Sequence, residues 1–190
     1  MMEKQNYKIS GVGTLAGGSY NEVCVSGSAK CNEALNCELL KVSGGGHFKK
    51  SVEAKKVKIS GGCEFSENLR FNEASISGAL AVENGLTGEN IKITGIATVK
   101  GECNVERMEF VGENGSFDNI YGESITISSR KHATKFNTIE ATNIYLKNAE
   151  GYRISGDDVT VLGESKIKII EYKNNLKIGK NIKVEEIIKL

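Results

Sequence analysis

The stretch Val57-Lys58-Ile59-Ser60-Gly61 decides the fold of this chain, because its pattern returns seventeen residues later as Ala74-Ser75-Ile76-Ser77-Gly78. After one step of 16, the Ile/Val of this unit recurs every 17 residues, at eleven positions that are Ile or Val except for one Phe. These positions are Ile9, Val25, Val42, Ile59, Ile76, Ile93, Phe110, Ile127, Ile144, Val161 and Ile178. A sustained period of this length predicts an array of stacked structural units.

Other columns keep the same phase when the Ile/Val is counted as position zero. The residue two places earlier is apolar in most repeats, and the residue between them is often lysine: Lys8, Lys41, Lys58 and Lys92. Column +6 is apolar from Leu15 to Val99. The constant interval then places Ser116 and Ala133 in it, so its apolar character is predicted to be interrupted there and to resume at Ile167 and Val184. Column +10 is apolar from Leu35 to Ile120 and is predicted to include Ile154 and Ile188. This alternation of apolar and polar residues is typical of β-strands with one buried face.

Each unit of about 17 residues therefore predicts three short strands, with Ser-Gly at one corner, where we expect glycine to adopt a positive φ. The predicted fold is all-β: a single-stranded β-helix (solenoid) of about eleven coils, right-handed by the general preference of parallel crossovers. We expect residues 1–6 to form a short N-terminal tail and residues 7–190 a single β-helix domain. The segment Tyr152–Gly156 imitates a repeat start out of phase and predicts a locally shifted corner.

Composition excludes several classes of function. Lys and Arg number 25 against 24 Asp and Glu, a formal net charge of +1, so the strongly basic surface of a nucleic-acid-coating protein is absent and we expect no nucleic-acid partner. The chain has no apolar run of membrane-spanning length, and its N-terminus lacks the apolar core of a signal peptide. We therefore predict a cytoplasmic protein.

The five cysteines contain no CxxC pair and are odd in number, so the pattern predicts reduced thiols rather than a disulfide framework or a zinc site. Cys31, Cys37 and Cys103 fall in columns predicted to face the core. Cys24 is predicted to point outward and Cys63 to lie at a corner, and the sequence leaves open whether either is reactive.

No pattern indicates a catalytic centre. His47 and His132 both fall in column +5, five repeats apart, which is too far for one site. The neighbouring carboxylates Asp157-Asp158 and Glu185-Glu186 are predicted to point to opposite faces of their strands. We therefore expect no catalytic, cofactor-binding or metal-binding residues, no cofactor and no small-molecule substrate; an acyltransferase-like or lyase-like enzyme ranks as the third hypothesis.

The two ends of the solenoid are the predicted interaction sites. A β-helix leaves unpaired strand edges at its first and last coils unless they are capped, and the sequence indicates no capping helix. Stacking of copies end to end would cover both edges. The predicted polymer interface is Tyr7 and Ile9 at one end and Ile187, Ile188 and Leu190 at the other, and Ile188→Arg is expected to dissolve the polymer.

The serial Ile/Val-Ser-Gly units, such as Tyr7-Lys8-Ile9-Ser10-Gly11 and Val57–Gly61, resemble those of the bactofilins, bacterial polymer-forming cytoskeletal proteins. The resemblance covers residues 7–128. It implies a right-handed β-helix that polymerises without nucleotide into non-polar filaments and serves as a scaffold for cell shape, envelope or spore-related processes. The implied partners are copies of the chain itself and cell-envelope or membrane-associated proteins, the latter with a peripheral location at the membrane.

A second hypothesis is a non-polymerising β-helical binding scaffold that uses one lateral face. The broken ridge of lysines before position zero is the candidate surface for it. This hypothesis predicts a monomer or a closed dimer, whereas the first predicts filaments.

Overall fold

The computed structural model describes residues 5–190, which form a β-solenoid of about 11 turns. Strands alone make up its regular structure, and every pairing between them is parallel and joins one coil to the next. The strands are β1 Gln5–Ile9, β2 Val12–Leu15, β3 Gly18–Val25, β4 Ser28–Cys31, β5 Leu35–Val42, β6 Gly45–Phe48, β7 Val52–Ile59, β8 Gly62–Phe65, β9 Leu69–Ile76, β10 Ala79–Val82, β11 Gly85–Ile93, β12 Ile96–Gly112, β13 Asn114–Ser129, β14 Thr134–Lys147, β15 Ala149–Leu162, β16 Lys166–Ile178 and β17 Lys183–Lys189. We number the coils by their position-zero residue, so that coil 1 contains Ile9 and coil 11 contains Ile178. The predicted solenoid is confirmed.

Each coil has three paired sides. Side 1 is Leu39–Val42 and its equivalents, side 2 is Gly45–Phe48 and its equivalents, and side 3 is Val52–Ala54 and its equivalents. Unpaired residues such as Lys55 separate side 3 from side 1, so the eight-residue strands bend around that corner. Three short paired stretches per coil match the strand pattern expected from the sequence.

The core consists of side chains stacked along the axis. Ile59 pairs with Val42 on one side and Ile76 on the other, and all three are buried. Phe48 and Phe65, neighbours in column +6, stack with ring centroids 4.9 Å apart and an interplanar angle of 8°. Because equivalent apolar residues meet in each coil, one continuous core extends along the rod.

The corner glycines are needed for a different reason from the one predicted. Among residues 5–190, positive φ angles occur at Gly18, Gly85, Gly101, Gly163 and Asn148, and the Ser-Gly corners are not among them. A Cβ on Gly44 would instead lie 1.9 Å from the carbonyl oxygen of Gly27 in the preceding coil. The expectation of positive φ was wrong: glycine is required because the corner backbones of successive coils pack in direct contact.

The phase shifts in the last third of the chain. Ile127 pairs with Leu146, nineteen residues on, whereas Ile144 pairs with Ile125. The predicted place of Ile144 at position zero is therefore wrong by two residues. The corner 130–133 is longer than the Ser-Gly corners, and a shorter step from Leu146 to Val161 restores the phase, so Val161 and Ile178 lie where predicted.

Column +6 does not lapse. Phe117 pairs with Val99 and Phe136 with Phe117, and both rings are buried. The predicted member Ser116 is displaced by one extra residue in the corner after Phe110, and Ala133 by the long corner 130–133. Gly151 follows Phe136 in this column, and a Cβ there would lie 2.1 Å from the Phe136 ring. The phenylalanine thus fills the space that the glycine leaves.

Two smaller expectations also change. Ile154 of β15 is a buried member of column +10, paired with Ile139 of β14 and Ile170 of β16, so Tyr152–Gly156 forms no shifted corner. The first strand begins at Gln5, inside the predicted tail, and the rest of that tail, residues 1–4, lies outside the described residues. Between residues 5 and 190 there is no helix of the length and apolar character needed to cross a membrane.

Candidate functional site: the two end faces

The N-terminal end face is formed by β1 and β2 in coil 1. Its inward side chains are already covered: Ile9 is 8% exposed and Leu15 1%. Tyr7 is half-buried, and its ring meets that of Tyr20 edge-to-face with centroids 5.6 Å apart. Among the described residues, β1 pairs only with β3 and β2 only with β4, so each offers one free edge.

The C-terminal end face is more apolar. Ile187 is 50% exposed, Leu190 60% and Ile178 37%, although the residues that precede Ile187 and Ile178 in their columns, Ile170 and Val161, are buried. Ile178 and Ile187 would be covered if another coil lay on top. The end of the described solenoid at coil 11 therefore presents core side chains to solvent, which is unusual for a protein surface.

The register in coil 11 corrects one predicted interface residue. Ile187 pairs with Ile170 in the inward column +10, whereas Ile188 pairs with Glu171 in the outward row. The sequence placed Ile188 in column +10, which is wrong by one residue. Its part in a polymer interface stays a prediction, and the register moves the larger expected effect from Ile188 to Ile187.

The cysteines are mostly core residues. Cys31, Cys37 and Cys103 are buried as predicted, and burial raises the pKa of Cys103 to about 12. Cys63 is not at a corner: it is buried between Gly46 and Leu80 in an inward column, and burial raises its pKa to about 12. A thiol with such a pKa is protonated at neutral pH and is a poor nucleophile.

Cys24 is half-buried and lies on the outward row of side 1. Its thiol donates a hydrogen bond to Glu22 Oε1 at 3.1 Å. Partial burial, followed by this bond, raises the pKa of Cys24. The surroundings therefore favour the thiol over the reactive thiolate.

The two histidines and the carboxylate pairs do not come together. His47 lies in column +5, with Nδ1 3.1 Å from Glu64 Oε2, but His132 lies in the long corner 130–133, and Lys135 takes its predicted place in the column. Asp157 and Asp158 are each paired along the rod, with Lys173 at 2.9 Å and Asn175 at 2.6 Å. Within residues 5–190, no group of three or more His, Cys, Asp or Glu side chains is arranged to hold a metal ion.

Side 1 carries an open groove of about 570 Å³ over the middle coils. Its rims are the two outward rows of this side, and charges of both signs occupy them: Lys92 Nζ lies 2.9 Å from Glu109 and Lys56 Nζ 2.9 Å from Glu73. Lys58 and Ser75 precede Lys92 in the outward row that carries the lysine ridge. The lysine ridge predicted from the sequence is thus exposed, but Ser75 interrupts it and Lys92 is paired with Glu109.

Similar ion pairs link successive coils at the corner between sides 2 and 3. Lys50 Nζ lies 2.8 Å from Glu67 Oε1, and Lys100 Nζ lies 2.6 Å from Glu83 Oε2. The hydrogen bond with Lys50, followed by that with Ser51, lowers the pKa of Glu67. These contacts connect coils within the rod and leave its lateral surface electrically mixed.

Comparisons with protein-family models, with curated proteins and with solved structures find no match to this chain. The class defined by the fold is a parallel β-solenoid with one apolar end face.

Proposed function

We propose that this protein is a self-assembling structural scaffold whose β-solenoids stack end to end into filaments. The single observation that carries the proposal is the exposure of Ile178 and Ile187 on the C-terminal end face, where their column neighbours in the preceding coil, Val161 and Ile170, are buried. A second solenoid laid on this face would bury these side chains and pair the free edge of β17. Assembly of this kind needs no nucleotide, because the driving force is apolar burial and backbone pairing.

The role is mechanical rather than catalytic. The chain would act as a stiff cytoskeletal or envelope-associated rod in the cytoplasm, with copies of itself as the first partner, in keeping with the resemblance of residues 7–128 to bactofilin repeats. Handedness, membrane association and further envelope partners belong to the same proposal.

The alternative, a monomeric binding scaffold, finds support in the groove on side 1. It requires a lateral ligand, whereas the filament requires only the ends. Electron microscopy and analytical ultracentrifugation of the purified chain at low micromolar concentration separate the two.

The filament proposal predicts elongated assemblies for the parent chain and their loss in Ile187→Arg. Ile188→Arg is the comparison variant and is expected to weaken the filaments less, because it adds the same charge one residue away on the outward row beside Glu171. Parent protein that sediments as a monomer at all salt concentrations would refute the proposal. Filaments that survive in Ile187→Arg would place the interface elsewhere.

A further inference from the structure

Three ladders run without a break from coil 1 to coil 11. The first joins Ile9 to Ile178 at position zero, the second joins Thr14 to Lys183 in the outward column +5, and the third joins Gly18 to Ile187 in the inward column +10. On each of the three sides, the column that starts in coil 1 is therefore still present in coil 11. The two end faces are related as any two successive coils are.

The last described residue of one copy also lies, along the winding, just before the first residue of side 1 in the next copy. Lys189 pairs with Tyr172 on side 3, and Leu190 follows at the next corner, where its N–H donates to the Tyr172 carbonyl at 2.8 Å. Asn6 is the second paired residue of coil 1 and opens side 1, opposite Glu22. If coil 1 of a second copy lies on coil 11, Asn6 of that copy takes the phase directly after Leu190. Within residues 5–190, the one residue of the second copy whose column position is already taken is Gln5, which shares its column with Lys189.

The shapes of the two end faces fit in this arrangement. Ile187 would lie under Gly18 of the second copy, the one member of column +10 without a side chain. A Cβ built on Gly18 meets nothing within 4 Å, so the space above Ile187 would be open to receive it. The large half-exposed side chain at one end is matched by an empty position at the other.

An inverted copy fits less well. Stacking two C-terminal ends would make the meeting strands antiparallel, whereas every pairing within the described rod is parallel. Inversion also reverses the order of the sides, so that unlike sides meet; in coil 11, side 2 has two paired residues and side 3 has four. A twofold axis through side 1 would bring the exposed Lys177 of one copy close to Lys177 of the other, and an axis through side 2 would do the same for Lys183.

From this geometry we infer that the copies stack head to tail, so that the filament is polar and continues the solenoid across each junction. This inference rests on the proposed end-to-end assembly and goes beyond it by specifying the orientation. It differs from the non-polar filament that the family resemblance implies. The occupant of the C-terminal end face is therefore the N-terminal end face of a second copy of this chain.

Disulfide trapping tests the orientation. In a Cys24→Ser background, Thr14→Cys and Lys183→Cys place thiols in one outward ladder at opposite ends, and in a head-to-tail stack they become neighbours at about the spacing of adjacent strands, within disulfide range. The remaining cysteines, Cys31, Cys37, Cys63 and Cys103, are buried. The double variant is expected to form a ladder of covalent multimers on mild oxidation, at least about tenfold more than either single variant.

Each outcome is decisive. Covalent dimers of Lys183→Cys alone, or of Thr14→Cys alone, would show inverted junctions and overturn the polar arrangement. Filaments by electron microscopy without trapping in the double variant would also overturn it, while leaving the proposed function intact. Absence of any assembly in the unsubstituted chain would overturn both.

Discussion

The first seven coils and the last four turn the same corner by different means. In the early coils a Ser-Gly pair allows backbone to lie on backbone, as where the Gly61 α-carbon faces the carbonyl of Gly44. In the later coils a left-handed residue, Asn148 with φ 55°, and its side-chain hydrogen bonds replace that contact. The early corners require a residue without a Cβ, and that requirement repeats along the sequence. The later corners depend on particular polar side chains and do not repeat.

The later corners are held by a local polar network. Asn148 Nδ2 donates to the carbonyl of Ser129 at 2.8 Å, and Asn148 Oδ1 accepts from the backbone N–H of Glu164 at 3.0 Å. Ser165 is buried, where its hydroxyl donates to the Leu162 carbonyl at 2.8 Å and accepts from the N–H of Ala149 at 3.0 Å. The hydroxyls of Ser129 and Thr134 are also hydrogen-bonded. Side chains thus satisfy backbone groups that regular stacking satisfies elsewhere.

The largest effect is expected from Gly61→Ala in the early corners. The added Cβ would lie 1.9 Å from the Gly44 carbonyl oxygen, so the two coils must separate. We expect a loss of about 3 kcal/mol or more in the free energy of unfolding, measured by urea denaturation. Gly62→Ala is the control, because a Cβ there meets nothing within 4 Å. Equal losses in the two variants would contradict the account of the corner.

A smaller effect is expected from Asn148→Ala in the later corners. The substitution removes both side-chain hydrogen bonds and places Ala in a left-handed conformation, for an expected loss of about 2 kcal/mol. Asn148→Gly removes the same bonds without the conformational cost and should lose less. If both variants were as stable as the parent in thermal unfolding, the polar network would not support the corner.

How much the sequence predicted follows the same division. The columns through Ile59 and Ile76 could be predicted because the early corners have one length, so apolar residues keep a constant interval. Ile144 was misplaced because polar residues such as Arg130 and Lys131 do not reveal how long a corner is. Column +10 was assigned one residue late in coil 11 for a related reason: Ile187 and Ile188 have the same side chain, so only the register shows which one points inward.

The smallest effect concerns the ion pairs, which occur in both regions. The hydrogen bond from Lys50 lowers the pKa of Glu67 in the early coils, and the hydrogen bond from Arg153, 2.7 Å from Oε2, lowers the pKa of Glu171 in the later ones. A carboxyl whose pKa is lowered by folding adds stability above its unfolded pKa of about 4.3, and this stability is lost as the pH falls through the folded pKa.

We therefore expect stability between pH 7 and pH 5 to be nearly constant and to fall below about pH 4. Glu171→Gln should reduce this acid sensitivity more than Glu67→Gln, because the Glu171 carboxylate is the less exposed of the two, at 14% against 36%. Thermal unfolding across this pH range measures both. A steeper loss in Glu171→Gln than in the parent would contradict the assignment.

Pairing of each coil with only its two neighbours has a consequence for how the rod opens. An interior coil is held from above and below, whereas coil 11 is held, within residues 5–190, by coil 10 alone. Amide hydrogen exchange should therefore be slow at mid-rod and fastest at the tip, where single windings peel away without melting the remainder. When a fibre grows, the terminal winding of one molecule becomes an interior winding, and its amide exchange should slow. The end that unfolds most easily in a single molecule is therefore the part that assembly stabilises most.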